Sequence, residues 1–464
     1  MCGVFGVAVI SDKPEFSAAE TVFGGLWALQ HRAQDSAGIA VDNGQEIQLH
    51  KKLGLVEQVF SQQDLDRLIG KVAIGHLRYQ TQGEDSVENA HPILVDSKYG
   101  RIAISHNGDL MFAKEARAQL KSNTFTFQTT TDTEVILHLI TASKQEQFID
   151  ALREALEMVG PSYAIVMIQA GFLIGARDNY GMRPLSIGKL ADGSYVLASE
   201  TIAFDEVNAV FQRDVEPGEI VVIHGAELMS IRTTAKPTHD LAQCVFEHVY
   251  FASPGSIMFG RTVQTSREGM GKNLAEEHPV DAEIVVPVPD SGSPAAVGYS
   301  TASGVPICLA ILRHQYAGRT FITRGEKVRS LKAHRKFKVI RGMVNEKRII
   351  LIDDSLVRGN TMKKLIEKLR KAGATEIHVR IACPPTVSPC FYGVDTPTKG
   401  ELKAAVNTIQ EICEFIGADS LEYLSLGGLL KAVRGSTNKF CVACYTGKYQ
   451  TPLSQERAGD LSMV

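Results

Sequence analysis

The chain has 464 residues, of which 44% are hydrophobic and 22% are charged, and its net charge is −3 at pH 7. This length predicts two or three domains with ample cores, and the small net charge argues against a nucleic-acid-binding or membrane-surface protein. No apolar run reaches the length of a membrane span and no signal segment opens the chain, so we expect a cytoplasmic protein.

The chain begins Met1-Cys2-Gly3, and Cys2 becomes the first residue if Met1 is removed. A free α-amine has a pKa near ~8 and can act as the general base for the thiol of its own residue. The alternative is a structural cysteine at a frayed chain end, and position alone favours that alternative. Residues further along the chain favour the catalytic interpretation instead.

Polar side chains follow several predicted strands and precede one predicted helix in the first half. Each has an ordinary explanation as a strand end or a helix cap. Taken together with an N-terminal cysteine, they resemble the class II glutamine amidotransferases, which have an N-terminal nucleophile fold. The segments that carry the resemblance are His31-Arg32-Ala33-Gln34, Arg78 to Thr81 after the strand 72–74, Asn107-Gly108 after the strand 102–105, and Asp132 before the helix 135–142.

The resemblance implies a glutaminase. Cys2 attacks the side-chain amide of glutamine and releases glutamate and ammonia. The Asn107 side chain and the Gly108 N–H form the oxyanion hole, whose donors face the charge that develops in the transition state. The implied glutamine-binding residues are Arg78, Thr81 and Asp132. His31, His76 and His106 could suggest a metal site, but this chemistry needs no metal, so we expect structural roles.

Further apolar runs at 163–168, 172–178 and 218–223 accompany a helical segment at 147–159. They fit an α+β domain with four αββα layers. We place this glutaminase domain at residues 2–235, before a linker at 233–238.

In the second half, apolar runs alternate with helical segments, which is the pattern of an α/β domain with a parallel sheet. The predicted strands are 284–289, 306–312, 348–352 and 377–381. The third strand ends in Asp353-Asp354, and a turn of small residues then leads into a helix that stops at Gly373. Two carboxylates at this position can bind ribose hydroxyls or magnesium, and loop amides at a helix start can bind phosphate. A single acidic helix cap would be ordinary, whereas two carboxylates in succession need another explanation.

This stretch resembles the phosphoribosyl pyrophosphate (PRPP) motif of the type I phosphoribosyltransferases. The resemblance implies that Asp353 and Asp354 bind ribose and Mg²⁺. The loop residues that would hold the 5-phosphate are Ser355, Val357, Arg358, Gly359, Asn360 and Thr361. An earlier segment, Asp290-Ser291-Gly292, resembles the pyrophosphate loop of that family, and by this match Ser291 also contributes to the magnesium site.

Residues 319–348 include eleven Lys or Arg and two Glu. A solvated face or an RNA-binding segment would have a similar composition. Aromatic residues are sparse here, so we favour a mobile loop that closes over a polyphosphate and excludes water. Lys336 is then the loop lysine expected to meet the pyrophosphate.

The chain has eight cysteines, too few for a disulfide scaffold in a protein of this length. Cys441 and Cys444 form a CxxC pair, for which zinc binding, redox chemistry and coincidence are all open. The sequences around four cysteines resemble the segments that ligate a 4Fe–4S cluster in one branch of the amidophosphoribosyltransferases. By that match the ligands are Cys244, Cys390, Cys441 and Cys444.

Cys383, which precedes two prolines, is the chief rival to Cys390 as a ligand. Cys308 lies in the predicted strand 306–312 and Cys413 on the apolar face of a predicted helix, 402–416, so we expect both in the core.

The two halves together resemble the amidophosphoribosyltransferase family, in its iron–sulfur branch, over nearly the whole chain. The resemblance implies a transferase that hydrolyses glutamine and passes the ammonia to C1 of PRPP, in the first step of purine synthesis. It further implies Mg²⁺ and a 4Fe–4S cluster as cofactors, purine nucleotides as inhibitors and a homo-oligomer, either a dimer or a tetramer. The transferase domain would span residues 236–450, and we expect the polar tail 451–464 to be poorly ordered.

Two other functions share part of these motifs. An asparagine or amino-sugar synthase would share the first half but lack Asp353 and Asp354 with Ser291. A PRPP-sensing regulator would carry an inactive glutaminase domain, and the intact Cys2, with the residues implied to bind glutamine and the oxyanion, argues against it.

Overall fold

The structure is a computed structural model that describes residues 1–11, 15–79, 86–122, 125–233, 241–314, 337–454 and 457–459. Thr81, Lys336, most of the basic segment 319–348 and the expected domain boundary at 235 lie outside the described residues. No helix in the described part is long and apolar enough to cross a bilayer.

The first half is built from two antiparallel sheets and several helices. Its strands are β1 Gly3–Ala8, β2 Ser36–Asp42, β3 Ile47–Leu53, β4 Val72–Arg78, β5 Ile93–Ser97, β6 Gly100–Gly108, β7 Tyr163–Gln169, β8 Phe172–Arg177, β9 Ser186–Lys189, β10 Tyr195–Ala198, β11 Val210–Asp214, β12 Glu219–His224 and β13 Glu227–Arg232. Its helices are Ala18–Ala28, Val56–Val59, Gln62–Asp66, Ala113–Ser122, Thr133–Ala142, Phe148–Val159 and Ile202–Glu206. The strand orders are β11-β9-β10-β1-β4-β2-β3 and β13-β12-β8-β7-β6-β5.

These elements form the predicted αββα layers. Val4, Ile74 and Val166 are among the buried side chains packed between the two sheets. The helix Ala18–Ala28 covers the outer face of the first sheet. The helix Phe148–Val159 covers the second sheet, because its apolar residues recur every three or four positions and are buried on one face. The expected four-layer glutaminase fold is therefore confirmed.

The second half contains shorter strands and more helices. Its strands are β14 Gln243–Cys244, β15 Ile257–Met258, β16 Arg261–Thr262, β17 Ile284–Pro287, β18 Ile311–Arg313, β19 Phe337–Val339, β20 Arg348–Asp353, β21 Glu376–Ile381, β22 Ser420–Tyr423 and β23 Phe440–Cys441. Its helices are Val263–Glu277, Ser293–Ser303, Arg341–Val344, Asn360–Lys371, Lys403–Val406, Ile409–Ile416, Leu426–Ala432 and Ala443–Thr446, with a π-helix at Glu247–Phe251 and a 3₁₀ turn at Lys399–Glu401.

The core of this half is a parallel sheet in the order β17-β20-β21-β22. Residues 349–352 of β20 are fully buried, as expected for an inner strand covered on both faces. The expected α/β domain is thus confirmed. Cys308 is buried and Cys413 is partly buried against this core, as predicted.

Three expectations about this half need correction. The predicted strand 306–312 makes one bridge to β17, at Ile307, and its residues 311 and 312 then pair with β19. Ile307 and Leu309 are exposed, so this segment lacks the continuous burial of an inner strand. The predicted helix 402–416 breaks near residue 407, because Thr408 caps a new helix and Glu411 completes the capping box. Part of the tail is packed: Thr451 is buried and its Oγ1 lies 2.9 Å from the hydroxyl of Tyr392.

Candidate active sites

Cys2 lies at the start of β1, beside the carboxyl end of β4. Its neighbour Gly3 pairs with Leu77, the residue before Arg78. The thiol is partly exposed, with Sγ 3.8 Å from the carbonyl O of Tyr79. Arg32 Nε donates to the carbonyl O of Cys2 at 2.8 Å. The backbone of Cys2 is therefore fixed, while its sulfur can still be reached.

The second sheet brings Asn107 and Gly108 to the same edge, at the end of β6. His76 on β4 donates from Nε2 to the carbonyl O of His106 at 2.8 Å, which joins the ends of the two strands. Asn107 is fully buried, and neither Oδ1 nor Nδ2 has a hydrogen-bond partner among the described residues. An unpaired buried amide is costly, about 1–3 kcal/mol, and such groups call for an explanation. A substrate oxygen that accepts from Nδ2 would supply the missing partner.

Opposite charges flank this edge. Arg78 ends β4 and is buried. Asp132 precedes the helix Thr133–Ala142, and its Oδ2 accepts from the N–H of Leu110 at 2.9 Å, two residues beyond Gly108. A free amino acid carries one carboxylate and one ammonium group, so a guanidinium and a carboxylate are complementary to it.

Three buried histidines lie beneath the site. His91 Nδ1 is 3.2 Å from His76 Nε2, and His106 Nδ1 is 2.9 Å from Thr133 Oγ1. Burial lowers the pKa of His76 to about 3 and also lowers the pKa values of His91 and His106. Burial therefore keeps these imidazoles neutral at pH 7. No described group of three or more His, Cys, Asp or Glu residues has the arrangement to hold a metal ion.

A buried network of ion pairs contacts the backbone of Cys2 through Arg32. This network was not predicted from the sequence. Arg32 donates to Glu200 and to both carboxylate oxygens of Glu247, at 3.0 and 2.9 Å. His31 Nε2 is 2.8 Å from Glu200. Burial opposes ionisation of Glu200, but His31 and Arg32 outweigh it and hold its pKa well below the ordinary value. The network joins the two halves of the chain, since Glu247 lies just beyond β14.

The second candidate site lies at the carboxyl end of β20. Asp353 is half-buried, and the 6% exposed Asp354 accepts a hydrogen bond from the Ser355 hydroxyl at 2.5 Å. Gly359 has a left-handed φ of +74°, which turns the chain into the helix Asn360–Lys371. Arg358 reaches Glu401 at 3.1 Å in an ion pair about half exposed on both sides. Such pairs are weak, so this guanidinium can exchange partners readily.

The segment Asp290–Gly292 meets the end of β20. A Cβ at Gly292 would lie 2.6 Å from the carbonyl O of Ile352 and 3.2 Å from Cα of Asp353, so only glycine permits this approach. Ser291 follows β17, the parallel neighbour of β20. Asp290 forms an exposed ion pair with Arg313. The segments 290–292 and 353–361, both expected to bind PRPP, are thus neighbours in the fold.

Cysteines from distant parts of the chain meet in a third region. Cys244 on β14 is the direct partner of Cys441 on β23. Cys390 and Cys441 pack in the same apolar cluster. Burial raises the pKa values of the Cys390, Cys441 and Cys444 thiols, and neighbouring thiols raise them further.

Neighbouring side chains differ between the candidate cysteines. Burial opposes the charge of Arg183, but Cys244, Glu247 and Cys390 outweigh it and raise its pKa. The groups that interact with Cys383 are Tyr445, the carboxylates Asp354 and Asp353, and also Cys444. Cys390 therefore interacts with Cys244, Cys441 and Cys444, whereas Cys383 interacts with Cys444 and with the carboxylates at the end of β20.

Comparison with known proteins agrees with this geometry. Residues 76–206 match the family of glutamine amidotransferase domains. The chain is 43% identical to amidophosphoribosyltransferase 1, chloroplastic, of Arabidopsis thaliana, over 97% of this chain and 78% of the relative. It is 41% identical to the amidophosphoribosyltransferase of Bacillus subtilis, over 98% and 95% of the two chains.

A solved structure has the same fold throughout. It is the glutamine PRPP amidotransferase from B. subtilis complexed with ADP and GMP, which superposes with a TM-score of 0.91 at 41% identity. The match covers 98% of this chain and 99% of that chain. The chain therefore belongs to the amidophosphoribosyltransferase family.

Proposed function

We propose that the protein hydrolyses glutamine and transfers the ammonia to C1 of PRPP, giving 5-phosphoribosylamine, glutamate and pyrophosphate. This reaction is the first step of de novo purine synthesis. Family membership over both halves of the chain carries the proposal. The geometry around Cys2 and around Asp353 supports one proposed site for each half-reaction.

In the glutaminase half-reaction, Cys2 is the nucleophile once Met1 has been removed. Its sulfur bonds to the amide carbon of glutamine, and its α-amine relays the thiol proton to the departing ammonia. Water then hydrolyses the thioester to glutamate. The unpaired buried amide of Asn107 supports its role, together with the Gly108 N–H, as an oxyanion donor.

Arg78 and Asp132 would bind the α-carboxylate and the α-amine of glutamine. Their opposite charges support this assignment, as do the burial of Arg78 and the low exposure of the Asp132 side chain, which is 12%. Thr81 belongs to the same proposed site but lies outside the described residues.

In the transferase half-reaction, the loop 355–361 would hold the 5-phosphate. The helix Asn360–Lys371 supports this role, because its first turn has no acidic residue and its amides face the loop. Asp353 and Asp354 would hold the ribose hydroxyls. The remaining proposed PRPP-binding residues are Asp290, Ser291, Gly292 and Lys336.

Mg²⁺ fits the residues present, since hydroxyl and carboxylate oxygens are its preferred ligands. Ser291, Asp353 and Asp354 would hold it, and the close approach of Gly292 to β20 supports their convergence. Bound Mg²⁺ would stabilise the negative charge of the departing pyrophosphate.

We propose that the third region binds a 4Fe–4S cluster, although its described cysteines do not have the arrangement of a preformed metal site. Cys244, Cys390, Cys441 and Cys444 would supply its four thiolates. The buried Arg183 supports this choice, because several anionic sulfurs in an apolar interior need a neighbouring cation. The cluster would have a structural role, since neither half-reaction transfers electrons.

Regulation and organisation complete the proposal. The B. subtilis relative was solved with ADP and GMP, which supports inhibition of this chain by purine nucleotides. We also propose a homo-oligomer, a glutaminase domain at 2–235, a transferase domain at 236–450 and a tail at 451–464. Thr451 packs against the transferase domain, so the tail begins as an extension of that domain.

The experiment that tests this proposal compares two nitrogen donors. Wild-type protein with PRPP and Mg²⁺ is expected to release pyrophosphate with either glutamine or ammonia. Cys2→Ser should lose the glutamine-dependent reaction and keep the ammonia-dependent one, because ammonia bypasses the first site. Glutamine-dependent activity that survives in Cys2→Ser would contradict the assignment of the nucleophile. A wild-type protein inactive with both donors would contradict the function.

A further inference from the structure

The segment Phe391–Gly393 of the second half lies directly against the proposed oxyanion hole. Gly393 has a φ of +102°, and a Cβ there would lie 2.9 Å from the carbonyl C and 3.1 Å from Cα of Gly108. Contacts this short between backbones require glycine. The two peptide segments therefore touch without an intervening side chain.

Ser162 fastens the two segments to each other. Its hydroxyl donates to the carbonyl O of Tyr392 at 2.6 Å, and its own carbonyl O accepts from the N–H of Asp109 at 3.1 Å. Ser162 is fully buried. One residue of the first half thus bonds both to the residue after Gly108 and to the residue before Gly393.

Arg457 holds the same two segments from the other side. Its Nη2 donates to Asp109 Oδ1 at 2.6 Å, and its Nη1 donates to the carbonyl O of Phe391. The Arg457 and Asp109 side chains are only 11% and 13% exposed. A charge-assisted bond of this kind, largely shielded from water, is stronger than a surface ion pair.

We propose that Gly393 and Arg457 are positioning residues for the glutaminase reaction. They fix the peptide Asn107–Asp109 so that the Asn107 amide and the Gly108 N–H face the oxyanion. This inference rests on the glutaminase function proposed above. Oxyanion donors act only when they are held in place before the reaction, and a shift of about 1 Å can cost about 100-fold in rate.

The same segment continues directly into the cysteine region. Tyr392 N–H donates to Cys390 Sγ at 3.3 Å, and the Cys390 N–H donates to Thr396 Oγ1 at 2.7 Å. The second half therefore contacts the glutaminase site through a segment that is itself anchored at Cys390. A substitution at Gly393 should therefore impair the glutaminase reaction more than it impairs the reaction at the PRPP site.

The test uses Gly393→Ala and Arg457→Ala in the full-length protein, with Gly304→Ala as a matched control. Gly304 has a φ of +75° and nothing within 4 Å of its missing Cβ, so its substitution reproduces the backbone strain alone. Arg457→Lys keeps the positive charge and should restore part of the activity lost in Arg457→Ala. For each variant, kcat and KM for glutamine, the ammonia-dependent rate and Tm are measured.

We expect Gly393→Ala and Arg457→Ala to lower the glutaminase kcat by about 10- to 100-fold. The ammonia-dependent rate, which does not use the oxyanion hole, and the KM for glutamine should stay within about twofold. An unchanged glutaminase kcat would overturn the inference, and so would a parallel fall of both rates and of Tm. If wild-type protein lacks glutaminase activity, the proposed function fails, and this inference fails with it.

Discussion

Arg32 in the first half and Glu247 in the second form a fully buried two-point ion pair, with N–O distances of 3.0 and 2.9 Å. The same guanidinium donates to the carbonyl O of Cys2. The orientation of the proposed nucleophile therefore depends on a carboxylate from the other half of the chain.

Removing that carboxylate should destabilise the protein and impair the glutaminase reaction. Glu247→Ala leaves the charge of Arg32 buried with Glu200 as its remaining carboxylate partner, and losing one member of a buried pair costs about 3–5 kcal/mol. We expect urea unfolding to show a lower free energy of unfolding, with lower glutaminase kcat in the surviving folded protein.

The control is Asp150→Ala, which breaks an ion pair with Arg153 on the surface. Exposed pairs contribute little, so this variant should unfold and react like wild type. Equal stability of Glu247→Ala and Asp150→Ala would refute the importance of the buried network.

Asn107→Ala tests the oxyanion assignment. Loss of one such donor typically lowers kcat by about 10²–10³. We expect a loss of this size in glutaminase assays, with the ammonia-dependent reaction within about twofold of wild type. The fold should survive, because the Asn107 amide makes no hydrogen bond to the described residues. A normal glutaminase kcat in this variant would exclude Asn107 from catalysis.

The buried histidines predict a loss of stability in acid. His76 has a pKa of about 3 when folded, against an ordinary value of 6.5. Between these values the unfolded chain binds more protons, so the free energy of unfolding falls as pH falls from about 6.5. Each such histidine contributes a slope of up to about 1.4 kcal/mol per pH unit.

Urea unfolding between pH 7 and pH 5 measures this slope. His91→Asn removes one of the histidines whose pKa is lowered by burial and should flatten the dependence. The exposed His224 provides the control, since His224→Gln should leave the slope unchanged. If His91→Asn and wild type have the same slope, protonation of His91 does not contribute to the loss of stability in acid.

The proposed cluster includes Cys390 as a ligand and excludes Cys383, and iron content tests this choice. Protein purified without oxygen is expected to be brown and to contain about four iron and four sulfide per chain. Cys390→Ser should lose iron, whereas Cys383→Ser should retain it, because Cys390 interacts with Cys244 and Cys441 while Cys383 also faces the carboxylates Asp353 and Asp354. A colourless protein that contains zinc would refute the cluster. If Cys383→Ser loses iron and Cys390→Ser retains it, Cys383 is the cluster ligand in place of Cys390.

The parts of the sites that the sequence predicted are local. Asp353 and Asp354 follow a buried strand and precede a glycine turn and a helix, so a single stretch of chain encodes both the strand end and the helix start. The same holds for Asn107 and Gly108 at the end of β6. Such motifs need no knowledge of distant contacts.

The relationships that the sequence did not predict are between distant residues. Arg32 and Glu247 are 215 positions apart, and no periodic pattern links them. Gly393 looks like an ordinary turn glycine until its contact with Gly108 is known. The broken helix near residue 407 did have a signal, since Thr408 and Glu411 have the spacing of a capping box.

The measurement that tests the central claim most directly is the rate of glutamine hydrolysis with and without PRPP and Mg²⁺. If both sites act in one enzyme, hydrolysis should be slow alone and rise when both are added, with stoichiometric release of pyrophosphate. Asp354→Asn should abolish that rise and keep the basal rate, while Asp281→Asn, at an exposed surface position, should behave like wild type. A hydrolysis rate that is the same with and without PRPP and Mg²⁺, with no pyrophosphate released, would contradict the account.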